Sequence, residues 1–315
     1  MRDLFGRDIT YLRLSVTELC NLRCRYCMPP EGVEKRRHED MLTEEETVQA
    51  VGAASELGIR KVRITGGEPL VKRNILSLCE KVAALPGIEE VDITTNGTLL
   101  YPLAKPLRAA GVRRINLSLD TLDPDKYARI TRVGRLEDAL RGLDAALAAG
   151  FDRVKINTVL IGGFNDDEIG TLADLSRRYP VDVRFIELMP MGVGDFDSGS
   201  YLSGDAVLKQ LPELVKEQDG AVASLYRLPG AQGQVGIIRS LSCPFCHRCD
   251  RLRLTADGRI KPCLHQGLEY TIKGLSREEM KARFEAAVLH KPPCRGELSS
   301  DAPSQANRPM HRIGG

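Results

Sequence analysis

The chain has 315 residues, of which 42% are hydrophobic and 28% are charged, as is usual for a soluble globular protein. Its 45 basic residues are almost balanced by 43 acidic ones, which argues against a surface that binds a nucleic-acid polymer. Residues 1–16 lack the apolar core of a signal peptide, and no apolar run is long enough to span a membrane. We therefore expect a cytoplasmic protein without a membrane anchor.

Short β-branched runs alternate with amphipathic stretches over residues 1–200. The predicted strands are residues 9–16, 61–65, 90–95, 113–119, 153–160 and 182–188, and the predicted helices are residues 43–57, 75–85, 136–149 and 166–179. This alternation predicts parallel strands joined by right-handed crossovers. Six strands are fewer than the eight of a closed barrel. We therefore expect an α/β fold with an open, partial (β/α)6 TIM-like barrel in residues 1–200.

Local signals mark the ends of several predicted helices. Thr43 and Glu46 have the spacing of a capping box, which indicates a helix N-terminus. Gly58 and Gly150 each follow an amphipathic stretch, at the position where a left-handed residue commonly ends a helix.

The first group of cysteines directly follows the first predicted strand. Cys20, Cys24 and Cys27 form a C-x3-C-x2-C motif, and clustered cysteines in a reducing compartment indicate metal or redox chemistry. Three thiolates in one short loop suit a [4Fe–4S] cluster that keeps one iron open for an external ligand. The alternative is a structural zinc site completed by His38 or another distant group, although such sites usually pair two C-x2-C knuckles.

Polar or glycine-rich segments close the remaining predicted strands. They are residues 65–69, 94–97, 118–120, 155–157 and 187–190. Some of these residues could simply cap the following helix. In a barrel, however, the carboxyl ends of the strands face the active site, whereas deeper positions are expected to be apolar. The repetition therefore predicts one active site at this end of the barrel.

The pattern changes after residue 200. Residues 220–239 predict a hairpin around Pro229-Gly230, residues 276–289 predict a helix, and the tail 299–315 is polar and predicted to be irregular. We assign residues 201–315 to a C-terminal extension of the barrel.

The extension carries a second group of cysteines, namely Cys243, Cys246, Cys249 and Cys263. All four could close a structural zinc site or a fully ligated iron–sulfur site. Alternatively, Cys246, Cys249 and Cys263 hold a second cluster with an open iron, and Cys243 is spare. The spacing alone does not decide between these interpretations.

The first motif, with Tyr26 before its last cysteine and Gly66-Gly67-Glu68-Pro69 after the second strand, resembles the radical S-adenosylmethionine (SAM) superfamily. The resemblance implies that SAM binds the open iron of a [4Fe–4S] cluster. It also implies that one electron cleaves SAM to release a 5′-deoxyadenosyl radical.

The sequence around the second group is similar to the GTP 3′,8-cyclase family of molybdenum-cofactor biosynthesis. Matching motifs lie at residues 3–7, 11–16, 63–67, 163–168, 184–191, 246–264 and 313–315, so the resemblance extends almost end to end. It implies a radical SAM lyase with a second [4Fe–4S] cluster on Cys246, Cys249 and Cys263, whose open iron binds the guanine ring of GTP. The implied product is (8S)-3′,8-cyclo-7,8-dihydroguanosine 5′-triphosphate.

The same resemblance implies roles for individual residues. SAM contacts are implied for Tyr26, Gly67, Ser118 and Met189, GTP contacts for Arg13, Arg63, Thr94, Lys155, Arg251 and Arg253, and a catalytic role for Arg251, Arg253, Gly314 and Gly315. Arg13, Arg63 and Lys155 lie inside predicted strands, where an unpaired charge is costly. A phosphate partner explains them better than a solvated surface does.

Two residues depart from the family pattern. Asp250 stands where we expect Asn, and Cys243 is an additional cysteine. Asp250 adds a negative charge that would affect the affinity for nucleotide.

The resemblance also implies partners: an electron donor and a downstream cyclic pyranopterin monophosphate synthase. It is compatible with a homodimer. The rival interpretations are a peptide-maturing radical SAM enzyme with an auxiliary cluster and a non-enzymatic iron–sulfur or zinc protein.

Overall fold

The computed structural model describes residues 1–191, 198–298 and 304–314. Its strands are β1 (Tyr11–Ser15), β2 (Lys61–Thr65), β3 (Glu90–Thr95), β4 (Val112–Ser118), β5 (Arg153–Leu160), β6 (Val181–Glu187), β7 (Val215–Asp219), β8 (Ser224–Arg227), β9 (Val235–Ile238), β10 (Arg251–Leu254), β11 (Arg259–Lys261) and β12 (Tyr270–Thr271). Its α-helices are α1 (Glu44–Glu56), α2 (Ile75–Ala83), α3 (Leu100–Ala109), α4 (Pro124–Thr131), α5 (Leu136–Ala148), α6 (Ile169–Arg178), α7 (Asp205–Gln210), α8 (Arg277–Leu289) and α9 (Met310–Ile313).

The strands form one sheet in the order β12-β11-β10-β1-β2-β3-β4-β5-β6-β9-β8-β7. All pairings from β10 to β9 are parallel, and antiparallel strands continue the sheet at both edges. Among the described residues, no pairing joins β12 to β7, so the sheet does not close. The expectation of a partial TIM-like barrel is confirmed.

Side chains of the parallel strands alternate between two environments. Leu12, Leu14, Val62 and Ile64 are fully buried in the hydrophobic core that the helices share. The intervening residues point to the opposite face, which is the inside of the barrel.

The deep interior of the barrel is ionic rather than apolar, so the expectation of apolar deeper positions is wrong. Asp92 on β3 is fully buried and pairs with Arg63 at 2.9 Å and with Lys61 at 2.8 Å. Glu90 pairs with Lys61 and also with Arg114, at 2.6 Å from the latter. These charges remain inside because each has an opposite partner.

Capping signals in the sequence correspond to the observed helix ends. Thr43 accepts from the Glu46 N–H, and the Glu46 carboxylate accepts from the Thr43 N–H, which completes the capping box of α1. Gly58 and Gly150 adopt φ values of +101° and +72° after α1 and α5. Both conformations favour glycine.

Two helices in the barrel were not predicted. Helix α3 contains Pro106, which normally interrupts a helix. Helix α4 has only 8 residues and begins at Pro124, after the Asp123 cap. The internal proline weakened the periodic signal of α3, and the short length weakened that of α4.

The C-terminal part of the chain contributes to both sides of the parallel sheet. The predicted hairpin is present as β8 and β9, and the predicted helix is present as α8. Strand β9 pairs with β6, and β10 pairs with β1. Residues 304–314 of the predicted irregular tail include the short helix α9.

No helix within the described ranges is both long and apolar enough to cross a membrane.

Candidate active site

A cavity of about 360 Å³ lies at the carboxyl ends of the parallel strands. The six cysteines expected to hold the clusters line it, as do Arg13, Tyr26, Arg63, Gly67, Thr94, Ser118, Met189, Arg251 and Arg253. Asn157 on β5 also lines the cavity. Lys155 does not, because it lies one inward-facing position deeper on the same strand. Gly314 contacts residues of the lining, and Gly315 lies outside the described residues.

The loop after β1 gathers the first three cysteines. The Cys27 N–H donates to the Cys24 carbonyl at 2.9 Å, which turns the chain tightly between them. The Leu22 N–H donates to Cys20 Sγ at 3.3 Å. Such donors to sulfur stabilise a thiolate.

Burial changes the chemistry of these thiols. It raises the pKa of Cys20 to about 11 and that of Cys27 to about 12. Burial, and then the nearby Cys27, also raise the pKa of Cys24. Iron would supply the positive charge that converts all three to thiolates.

In the described part of the chain, no three Cys, His, Asp or Glu side chains are grouped closely enough for one metal ion. A [4Fe–4S] cluster distributes its cysteine ligands over different irons. Three cysteines around one cavity therefore fit such a cluster.

Tyr26 is fixed by an acid at the end of β4. Its hydroxyl donates to Asp120 Oδ2 at 2.7 Å, and the Val159 N–H donates to Asp120 Oδ1 at 2.8 Å. Burial raises the pKa of Asp120 to about 6. Sequence analysis placed Asp120 at a strand end, but its bond to Tyr26 required the tertiary structure.

Gly66-Gly67-Glu68 packs against the segment that precedes Cys20. The Gly67 N–H donates to the Thr17 carbonyl at 2.8 Å, and a Cβ on Gly67 would lie 2.4 Å from the Leu19 carbonyl oxygen. Only glycine allows this approach. Glu68 accepts from Thr95 and from the Asn96 N–H, both at 2.7 Å, and burial raises its pKa to about 7.

Positive charges accumulate inside the barrel. Arg13 pairs in register with Arg63 on one side and Arg253 on the other. Burial, and then Arg253, lower the pKa of Arg13, and burial and Arg251 lower that of Arg253 to about 10. Arg63 has Asp92 as its counterion, whereas Arg13 has no ion pair among the described residues.

Lys155 and Arg184 extend this positive region along β5 and β6. Burial, and then Arg184, lower the pKa of Lys155 to about 7. Burial, and then Arg63, lower that of Arg184 to about 10. Neither forms an ion pair with any described residue. Sequence analysis missed Arg184 as a site residue, although its place on the inward side of β6 was a usable signal.

Several buried polar atoms of this region have no hydrogen-bond partner among the described residues. They include Thr94 Oγ1 and the Nε atoms of Arg13, Arg63, Arg184 and Arg251. Buried donors without partners are costly, so these atoms fit a site that a polar, anionic ligand completes.

The second group of cysteines comes from two segments. The Cys249 N–H donates to the Cys246 carbonyl at 3.2 Å within a short 3-10 turn, and Cys263 follows β11. Cys243 is exposed and does not line the cavity. The carboxylate of Asp250 lies 3.6 Å from Arg251 Nε and offsets part of its charge.

The described end of the tail enters the barrel. Arg253 donates to the Gly314 carbonyl, and Gly314 adopts φ +86°. A Cβ there would lie 2.4 Å from Thr65 Oγ1. His311 Nδ1 lies 3.2 Å from the Cys27 carbonyl oxygen, so the tail also contacts the first cysteine loop.

Charged side chains hold the tail from outside the cavity. Arg308 pairs with Asp257 at 2.8 Å, and Arg312 pairs with Glu18 at 3.2 Å. Burial alone would raise the pKa of Asp257, but hydrogen bonds from Thr255 and Arg308 lower that pKa to about 2.

Two family models match consecutive parts of the chain. The Radical SAM superfamily model matches residues 14–176, and the Molybdenum Cofactor Synthesis C model matches residues 181–295. Together they include all six cysteines that line the cavity.

Proteins of similar sequence are named GTP 3′,8-cyclase. The protein from Peptoclostridium acidaminophilum is 47% identical, over 99% of this chain and 98% of its own. The protein from Alkaliphilus oremlandii is 44% identical over 100% of both chains, and the one from Pelotomaculum thermopropionicum is 48% identical over 92% of this chain and 91% of its own.

Solved structures with a similar fold have lower sequence identity. Streptococcus suis SuiB bound to S-adenosylmethionine matches 84% of this chain and 63% of its own, with a TM-score of 0.62 and 17% identity. The structure of anSMEcpe with bound AdoMet matches 92% of this chain and 79% of its own, with a TM-score of 0.59 and 14% identity. The full-length sequence matches are more specific, and the chain belongs to the GTP 3′,8-cyclase family within the radical SAM superfamily.

Proposed function

We propose that this protein converts GTP to (8S)-3′,8-cyclo-7,8-dihydroguanosine 5′-triphosphate, in the first step of molybdenum-cofactor biosynthesis. One observation carries the proposal beyond the family match. A single cavity is lined by both groups of cysteines and lies above partly buried cations that form no ion pair with any described residue. The proposed reaction needs both features in one place, because the clusters would start the radical chemistry and the cations would bind the triphosphate.

Cys20, Cys24 and Cys27 would hold the first cluster, with Tyr26, Gly67, Ser118 and Met189 around SAM. Cys246, Cys249 and Cys263 would hold the second cluster, which leaves Cys243 spare. When bound, the clusters and SAM supply the one-electron chemistry that starts the reaction.

The protein's own contribution is charge and orientation. Arg13, Lys155 and Arg184 would bind the triphosphate, because they are partly buried and form no ion pair with a described residue. Arg63 and Thr94 would complete this contact from β2 and β3. Positioning lowers the barrier because it converts an encounter between two reactants into a reaction within one complex.

Arg251, Arg253 and the Gly314-Gly315 tail would close the site next to the ribose. Arg253 already donates to the Gly314 carbonyl. The closed site would keep water and other hydrogen donors away from a reactive intermediate.

Further parts of the proposal concern the cellular setting. The protein would act in the cytoplasm, receive electrons from a separate donor and pass its product to a cyclic pyranopterin monophosphate synthase. Residues 1–200 would form the radical SAM barrel and residues 201–315 the extension with the second cluster. A homodimer is the oligomeric state proposed from the family.

The deciding experiment is an anaerobic incubation of the reconstituted protein with SAM and reductant, followed by mass spectrometry. GTP, ATP and no nucleotide are compared. We expect 5′-deoxyadenosine and an isomer of GTP only with GTP. Formation of 5′-deoxyadenosine without a changed nucleotide would overturn the assignment of GTP as substrate. Absence of 5′-deoxyadenosine from protein with intact clusters would overturn the enzymatic function.

A further inference from the structure

A buried carboxylate at the end of β6 has no role in the reaction described above. Glu187 is the last residue of β6 and is fully buried. It does not line the cavity. A buried carboxylate is costly unless its oxygens are satisfied, so its partners indicate what it does.

The partners of Glu187 are all neutral donors. Oε2 accepts from the N–H groups of Leu241 and Ser242 at 2.7 and 2.9 Å. Oε1 accepts from Ser242 Oγ at 2.6 Å, from the Gly204 N–H at 3.0 Å and from the Tyr201 hydroxyl at 3.3 Å. No described cation forms an ion pair with it.

Two of these donors begin the loop that leads to the second group of cysteines. Leu241 and Ser242 directly precede Cys243, and no strand or α-helix occurs from there to β10. The loop therefore lacks the backbone ladder that normally fixes a chain segment. At the start of the loop, the Glu187 carboxylate instead accepts hydrogen bonds from two backbone N–H groups.

Two arginines hold the same loop from other sides. Arg295 donates to the Leu241 carbonyl at 3.1 Å, and Arg7 donates to the Cys246 carbonyl at 2.8 Å. Arg7 is itself buried against Asp3. Within this loop the two arginines bind carbonyl groups, whereas Glu187 accepts from N–H groups and so orients a different set of backbone atoms.

We propose that Glu187 is a positioning residue for the second cluster: it shapes the loop so that Cys246 and Cys249 face Cys263. This inference rests on the proposed function, since it requires a cluster on those three cysteines. The residue acts through the loop and touches neither cysteine nor substrate.

The two acceptor oxygens of Glu187 are the part of the side chain that matters. A carboxylate accepts at both oxygens, whereas the amide of glutamine offers one acceptor and one donor group. In Glu187→Gln, the amide nitrogen would face N–H donors on one side. The shape is preserved, so the variant removes acceptors without creating a cavity.

The test is Glu187→Gln in the full-length, reconstituted protein, with Glu168→Gln as the matched control. Glu168 likewise accepts from a backbone N–H and a hydroxyl, of Leu122 and Thr121, at 2.8 and 2.6 Å, and it also pairs with Lys126, but within the described chain it makes no hydrogen bond to the second cysteine loop. Iron and sulfide content, the paramagnetic resonance of the reduced clusters and the rate of iron release to a chelator are measured.

We expect Glu187→Gln to keep the first-cluster signal and to release second-cluster iron about tenfold faster than the unsubstituted protein, because buried donors lose their acceptor. Glu168→Gln should behave like the unsubstituted protein. A normal second-cluster signal and a normal rate of iron release in Glu187→Gln would overturn this inference but leave the proposed function standing. A single cluster in the unsubstituted protein would overturn the proposed function, and the inference with it.

If Glu187→Gln does not fold, Ser242→Ala decides the question. It removes the 2.6 Å bond from Ser242 Oγ to the carboxylate and keeps the bonds from the two backbone N–H groups. Faster iron release from the second cluster in this variant supports the inference, and an unchanged rate overturns it.

Discussion

The two groups of cysteines are fixed in different ways. The first lies within residues 20–27, and its supports are backbone contacts with the Gly67-Glu68 turn together with the side chains of Asp120 and Arg132. The second is assembled from segments separated by β10 and β11, and its supports are side chains from distant parts of the chain, namely Arg7, Glu187 and Arg295. Cysteines that lie in one short segment leave a compact sequence motif, whereas cysteines assembled from separated segments leave a weaker one.

The two groups also differ in how far burial shifts the pKa values of their thiols. Burial raises the pKa of all three thiols in the first group, to about 12 for Cys27. In the second group it raises the pKa of the less buried Cys246, without a large shift. Substitutions should therefore have unequal effects in the two regions.

Cys24→Ala should have the largest effect. The first loop has no spare cysteine, so loss of one thiolate should remove the first cluster and abolish SAM cleavage. Formation of 5′-deoxyadenosine is the measurement, and Cys294→Ala, at an exposed position outside both groups, is the control. Retained cleavage would show that Cys24 is not a ligand.

Cys263→Ala should separate the two regions. The second cluster should be lost and GTP cyclisation should stop, while some SAM cleavage remains because the first loop is unchanged. Iron content and the nucleotide product are measured together. Unchanged cyclisation would mean that the second group does not bind substrate.

Lys155 should make GTP binding depend on pH. Its pKa of about 7 in the ligand-free protein means that it is largely neutral above pH 7, and the phosphates of GTP would favour the charged form. Binding should therefore take up a proton, and affinity should fall between pH 7 and 9, by at most about tenfold per pH unit.

Lys155→Met should weaken GTP binding at pH 6 by about tenfold or more and flatten the pH dependence. Calorimetry of the reconstituted protein without SAM or reductant measures both effects. Lys126→Met, which removes a partner of the exposed Asp167, is the control. An equal pH dependence in Lys155→Met and the unsubstituted protein would exclude Lys155 as its source.

Cys243→Ala should have the smallest effect. Cys243 is exposed and outside the cavity, so iron content and cyclisation should match those of the unsubstituted protein. Loss of the second cluster would instead make Cys243 a ligand.

The sequence predicted the elements whose signals are local. The capping box at Thr43, the glycines after α1 and α5 and the six central strands all depend on neighbouring residues. Helix α3 was missed because Pro106 obscures its pattern, and the pairing of β10 with β1 could not be read because it joins distant segments.

The candidate site was predicted to a similar extent. The cysteine motif and the inward basic residues were visible, but Arg184 and the partners of Glu187 were not. Arg184 also lies inside a predicted strand, so the cost of an unpaired charge, which was the argument for Lys155, applies to it as well. The donors around Glu187 come from loops whose approach to β6 depends on the whole fold.

The position of β10 has a consequence for folding. Strand β1 pairs with β2 soon after both are synthesised, but its other edge pairs with β10, near the far end of the chain. Such a contact closes a long loop, which slows folding. Until β10 emerges from the ribosome, β1 presents an unpaired edge that can associate with other chains. Production of this protein should therefore benefit from a low concentration of nascent chains, because association between chains increases with concentration.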